Sequence, residues 1–184
     1  MQIKETKIPG LLIIKPQVFE DSRGYFFESH SELKLKEAGV DVKFVQDNES
    51  KSQKGVLRGM HFQHPPYTQG KLVRVIKGAV LDVAIDLRVG SPTYGQWDSI
   101  VLSEDNKLMY WVPEGFAHGF LTLENDTIFF YKCTKLYNKE AEGSIRWNDP
   151  ELGIKWGTNK PILSEKDKTT PLFKDLKSPF IFQK

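Results

Sequence analysis

Hydrophobic and polar positions alternate along this chain with a period of two. The alternation is clearest from Val80 to Leu87, where Leu81, Val83, Ile85 and Leu87 share one face and Asp82, Ala84 and Asp86 share the other, the pattern of a β-strand. Further short stretches rich in β-branched and aromatic residues, among them "GLLIIKPQVF", "KLVRVIKGAVLDVAIDLR", "DSIVLS", "LMYWVP", "GFLTL" and "TIFFYKCTKLY", are punctuated by Gly, Pro, Asn or Asp. Their spacing is that of an antiparallel barrel or sandwich. Only "HSELKLKEAGV" has helical character, with Ser31 as N-cap, good helix formers through Ala38 and Gly39 as the stop. The tail beyond Trp156, richer in Lys, Asp, Thr and Pro, is expected to wrap the surface.

At 184 residues the chain predicts one domain, residues 1–184, with a single sizeable core. Lys and Arg number 26 against 24 Asp and Glu, a net charge of +2 without long runs of one sign. So even a field offers little to nucleic acid or a membrane surface, and any anion site must be local. The opening "MQIKETKIPG" lacks the apolar core of a signal peptide, no apolar run approaches the roughly 20 residues of a membrane span, and Cys133 is the only cysteine. A soluble protein of the reducing cytoplasm is expected.

Candidate chemistry concentrates in "GVLRGMHFQHPPYTQGKLVRVIKG", residues 55–78. His61 and His64, with His118 further on, could in principle offer three imidazoles to zinc or iron. Their spacing opposes it: positions 61 and 64 point to opposite sides of a strand, and "HPP" ends the strand at His64, leaving that residue in a loop. No carboxylate stands nearby in the motif. The expectation is a site without metal.

The stretch "GFAHGF" preceded by "WVPE" sets Pro113, Gly115 and His118 at the spacing of the second cupin motif, and "HFQHPPYTQGKLVRVIKG" lies where the first would be, with Lys71 where a metal-binding carboxylate would be wanted. Taken with "FEDSRGYFFESH", "FVQDNESKSQKGVLRGMHFQ", "YKCTKLYN" and "ILSEKD", in order from about residue 10 to 168, the chain resembles the dTDP-4-dehydrorhamnose 3,5-epimerase family. The resemblance implies an all-β, cupin-type antiparallel barrel of jelly-roll form with a few short helices. It also implies that the protein needs no cofactor and inverts carbons 3 and 5 of a dTDP-linked 4-keto-6-deoxyhexose on the way to dTDP-L-rhamnose. Such chemistry requires a base for a proton beside the ketone, a cation or donor at the ketone oxygen, and an acid on the opposite ring face.

By the same resemblance His61 is the base and Asp167 the carboxylate that orients it, Lys71 and His118 lie near the ketone, and Tyr131 is the proton donor. Taken alone, His61 could be a hydrogen-bonded barrel histidine, Asp167 a solvated aspartate, Lys71 a strand-edge lysine and His118 a loop residue following its Pro-x-Gly turn. Tyr131 shares a strand face with Phe129 and Cys133, where a tyrosine is ordinarily core. The nucleotide half falls to Arg23, Glu28, Gln46, Asp47, Asn48 and Arg58, with the two arginines suited to the diphosphate. Glu142 and Lys166 match further substrate positions, although both could be solvated loop charges. The segment bearing Arg23 and Glu28 would complete the pocket of a neighbouring subunit, implying a homodimer with shared sites. Arg58 and His61 have opposite parity, so facing one pocket requires a local irregularity, which Gly59 permits. Three other readings are weighed: epimerisation at one carbon only, a metal-dependent cupin enzyme, and a non-catalytic sugar-binding cupin.

Overall fold

The computed structural model of the protein describes residues 1–183. In chain order the elements are β1 (Gln2–Glu5), β2 (Leu12–Lys15), β3 (Val18–Asp21), β4 (Gly24–Phe27), α1 (Glu32–Glu37), β5 (Gln46–Ser52), β6 (Leu57–Gln63) and β7 (Lys71–Lys77). They continue as β8 (Ala79–Asp86), β9 (Trp97–Ser103), β10 (Met109–Val112), β11 (Phe116–Thr122), β12 (Thr127–Cys133), β13 (Glu142–Ser144) and α2 (Glu165–Lys168). Six strands form one antiparallel sheet in the order β1-β2-β10-β7-β12-β5, five form a second in the order β13-β6-β11-β8-β9, and β3 and β4 make a separate hairpin. The expected all-β, cupin-type architecture is therefore present. It is built as two facing sheets that share no ladder hydrogen bonds, so it is not a continuously closed barrel.

Between the sheets lie Val73 and Val75 from β7, Val80 and Ala84 from β8, Tyr110 and Val112 from β10, Phe116 and Phe120 from β11, and Phe129 from β12. The outer face of the five-stranded sheet is also buried. There Leu57, Met60, Val83, Ile85 and Leu121 pack beneath Ile145, Trp147, Leu152, Trp156, Phe173 and Phe180. The chain beyond β13 thus does more than wrap a surface: it supplies an apolar layer. On the outer face of the six-stranded sheet Leu35 and Val40, from α1 and its exit, cover Leu72, Met109 and Trp111.

Both faces of β8 are consequently covered, and its alternation separates two buried environments where a sheet open to water would separate core from solvent. Asp82 and Asp86 are fully buried. Asp86 is satisfied locally, accepting from Arg88, Ser91 and Thr93. The helix begins and ends as its sequence requires: the Ser31 side chain accepts from the Lys34 amide, and Gly39 follows the C-cap at φ +84°.

Candidate active site

Arg58 and His61 reach one cavity because β6 carries an extra residue. Against β11, His118 pairs with His61 and Phe120 with Arg58, so that Gly59 and Met60 together oppose Gly119. This bulge reverses the parity of the strand between the two functional side chains. Gly59 sits at φ +141°, and a Cβ there would lie 2.6 Å from the Cα of Gly119. Met60 turns the other way, fully buried in the outer apolar layer. The irregularity expected from the parity conflict is present at the expected residue.

The cavity has a volume of about 400 Å³ and opens between the sheets, a size suited to a small organic ligand. Arg58, His61, Lys71, His118 and Tyr131 line it together with Phe120 and Phe129. Ile162, Leu163, Ser164, Lys166 and Asp167, from the tail, close one side.

Asp167 is placed by α2. Ser164 caps that helix, its Oγ accepting from the Asp167 amide at 3.2 Å, and the carboxylate, only 3% exposed, lies 2.6 Å from His61 Nε2. Burial pushes this carboxyl up, but the contact with His61 and the Ser164 hydroxyl outweigh it and hold the group below the usual carboxylate range. A carboxylate at Nε2 holds the proton on that nitrogen and leaves the lone pair of the neutral ring on Nδ1. The arrangement is an imidazole with a fixed tautomer.

His118 is a mid-strand residue of β11, where the sequence alone allowed a loop. Its ring stacks on Phe129 with centroids 6.3 Å apart, and Nε2 lies 2.9 and 3.0 Å from the two oxygens of Asp82. Lys71 enters from the facing sheet, its Nζ 5.9 Å from the centre of the Tyr131 ring. Burial pushes the lysine below its ordinary range, against the opposing influence of Cys133 and Asp82. Burial and the neighbouring Cys133 push the Tyr131 hydroxyl up, while Arg58 and a hydrogen bond with Asn48 pull it back. The pocket therefore combines an imidazole held in one tautomer, a lysine amine whose charged form burial disfavours, and a phenol that keeps its proton.

The other candidates divide between the cavity wall and positions further out. Gln46 and Asn48 share the inward face of β5 with the pocket residue Ser50, pairing across the ladder with Cys133 and Tyr131. Asp47 takes the opposite face and holds Lys132 at 2.8 Å, so the three consecutive candidates do not converge. Glu142 pairs with Lys166 at 2.5 Å beside the pocket. Arg58 is steadied by its Nε donating to Ser52 Oγ at 3.2 Å. Arg23 and Glu28 stand apart from this cavity, Arg23 paired with Asp21 and Glu28 with Lys34. His64 follows β6 and packs edge-on against Phe62, away from His61.

Sequence reasoning missed Ser50, Ser52 and Asp82. The signal for Asp82 was in the chain, as an acidic residue on the polar face of the clearest strand, but its partner was legible only from the pairing of β8 with β11.

A family model described as dTDP-4-dehydrorhamnose 3,5-epimerase matches residues 5–175. The chain is 52% identical to the dTDP-4-dehydrorhamnose 3,5-epimerase of Salmonella typhimurium over 174 residues, covering 94% of this chain and 95% of that protein. It is similar to the crystal structure of the Legionella pneumophila dTDP-6-deoxy-D-glucose-3,5-epimerase in complex with dTDP-4-keto-L-rhamnose, with a TM-score of 0.95 and 46% identity over 100% of this chain and 99% of that one. It is likewise similar to the dTDP-4-dehydrorhamnose 3,5-epimerase of Elizabethkingia anophelis, with a TM-score of 0.92 and 49% identity over 97% of this chain and 98% of that one.

Proposed function

This chain belongs to the dTDP-4-dehydrorhamnose 3,5-epimerase family, and from that premise we propose that His61 and Tyr131 are the groups that move its protons. The protein is an isomerase that inverts C3 and C5 of dTDP-4-dehydro-6-deoxy-D-glucose. Both carbons flank the C4 ketone, so each loses its proton to give an enolate and regains one on the opposite face. The residues supply the needed parts. His61 removes the proton through Nδ1, and Asp167 favours the imidazolium that results. Lys71, with His118 beside it, faces the oxygen on which negative charge develops, where one preorganised donor is worth about 10²–10³ in rate. Tyr131 returns a proton from the other side. The observation carrying this reading is that the His61–Asp167 pair, Lys71 and Tyr131 border the same cavity.

The remaining assignments extend the same reading. Arg58 grips the diphosphate, Gln46 and Asn48 meet the nucleoside, Asp47 acts from outside the cavity through Lys132, and Glu142 and Lys166 border the sugar. Arg23 and Glu28 belong to a hairpin whose Phe19, Tyr25 and Phe26 are 57, 58 and 67% exposed. Burying those rings against a second copy would carry both residues toward that copy's pocket, giving a homodimer with shared sites. The enzyme works in the cytoplasm, needs no cofactor, and supplies dTDP-L-rhamnose for lipopolysaccharide or cell-wall polysaccharide.

Proton NMR in heavy water tests the core of the proposal. The wild-type protein should place deuterium at both C3 and C5 of dTDP-4-dehydro-6-deoxy-D-glucose, and entry at one carbon alone would mark a single-site epimerase. His61→Ala should keep its fold and lose at least about 10³ in exchange rate, as members of one catalytic unit do. Near-normal exchange in that variant would remove His61 as the base.

A further inference from the structure

The pocket contains a second histidine–carboxylate pair, and its placement differs from the first. Asp167 comes from the tail and His61 faces the cavity mouth, its side chain 34% exposed. Asp82 is fully buried in the middle of β8, and His118 is 7% exposed. Both Asp82 oxygens lie within 3.0 Å of the one ring nitrogen, which fixes the ring plane. Lys71 stands on the facing sheet, among the same buried residues. Its Nζ donates no hydrogen bond to any described residue, although the chain places it where an ammonium must survive removal from water. A buried ammonium without a counter-charge loses its proton. The titratable groups around Lys71 and Asp82 are Cys133 and Tyr131 from β12, Tyr110 from β10 and His118 from β11, with Asp98 of β9 acting on Tyr110 and with Asp167, on the shared cavity, taken up by His61. Burial pushes Cys133, Tyr131 and Tyr110 upward, so the thiol and both phenols are neutral near pH 7. Asp82 is then the one carboxylate of the described residues positioned to balance Lys71 before substrate arrives.

Resting on the reading of Lys71 as the group at the ketone oxygen, we propose that Asp82 is a positioning residue for that side of the reaction. Through Nε2 it fixes the ring of His118, and by its charge it keeps Lys71 protonated in the empty pocket. Burial raises the Asp82 carboxyl itself, while contact with His118 and the charge of Lys71 oppose that rise. Lys71 thus acts toward the ionised form of Asp82, as Asp82 acts toward the ammonium of Lys71.

The variant Asp82→Asn retains the shape of the group and an oxygen for His118 Nε2 while removing the charge. It should lower kcat by about 10²-fold at pH 7.5, the scale of losing one oxyanion donor, with KM changed less than threefold. The alkaline limb of its kcat profile should move to lower pH, because Lys71 then gives up its proton more easily. A folded Asp82→Asn protein with the wild-type alkaline limb overturns the proposal, and a fall in melting temperature alone would not support it. Should Asp82→Asn fail to fold, Lys71→Met added to it should restore folding by removing the orphaned charge, and a double variant that also fails overturns the idea. The His61→Ala measurement separates the two readings: exchange lost there, with an unmoved alkaline limb in Asp82→Asn, rejects the role of Asp82 and leaves the epimerase mechanism standing.

Discussion

At the residue scale, the acid role proposed for Tyr131 uses a property that usually makes a phenol inert. Burial raises its ionisation above the ordinary range, so it keeps its proton near neutral pH, and in the proposed mechanism it gives that proton to a basic carbanion. Removing that proton while retaining the ring should divide the reaction into halves. Tyr131→Phe should lose about 10²–10⁴ in net inversion, the usual range for a positioned general acid, while abstraction by His61 continues. In heavy water, recovered substrate of unchanged configuration should then carry deuterium, which NMR detects. Normal turnover in this variant would reassign the acid. The side of the strand on which Tyr131 stands was legible from period-two alternation. Asp167 was not, because nothing local marks an aspartate in a lysine-rich tail as the partner of a histidine 106 residues earlier. The family resemblance grouped Asp47 with Gln46 and Asn48, but a strand cannot aim three consecutive side chains at one site, and Asp47 faces Lys132.

Among the elements, β6 carries the sharpest conflict between local regularity and function. Its bulge lets Arg58 and His61 share a cavity, and the backbone there approaches β11 so closely that a side chain has no room. Gly59→Ala would set a Cβ 2.6 Å from the Gly119 backbone in a conformation that L-residues avoid, a strain of about 1–3 kcal/mol before the clash is counted. The expected outcome is a melting temperature lower by roughly 2–12 °C, seen by circular dichroism, with a larger loss in kcat/KM than in secondary structure. A melting curve superimposable on wild type would show that the loop relaxes freely. This irregularity was legible as a parity problem, since only a residue without a Cβ could solve it. The environment of β8 was not. Alternation distinguishes two faces but cannot say that both are covered, because the covering layer arrives from sequence far downstream, as Trp147, Trp156 and Phe173 do.

At the scale of the whole molecule the chain is a pair of facing sheets, an apolar layer added by the segment beyond β13, and a hairpin that shares a sheet with neither. The layered body was readable as an all-β domain from strand spacing. For the hairpin the proposed role lies in a second copy of the chain. If Arg23 and Glu28 complete a second copy's pocket, the exposed rings of Phe19, Tyr25 and Phe26 are its anchor, and Phe26→Glu should separate the copies. Light scattering on the eluting protein should then report the mass of one chain, and activity should fall with it because each cavity loses its visiting arginine. A wild-type protein that is active as a single chain would refute the shared site.

The layout of the His61–Asp167 pair has a consequence for how the protein becomes active. Its two members come from opposite sides of the loop around Gly157, one from an inner strand and the other from a helix within the covering layer. A nick in that loop would leave imidazole on one fragment and carboxylate on the other, so neither piece alone could perform the proton transfer. On the proposed mechanism, turnover therefore requires both stretches of chain in one folded body.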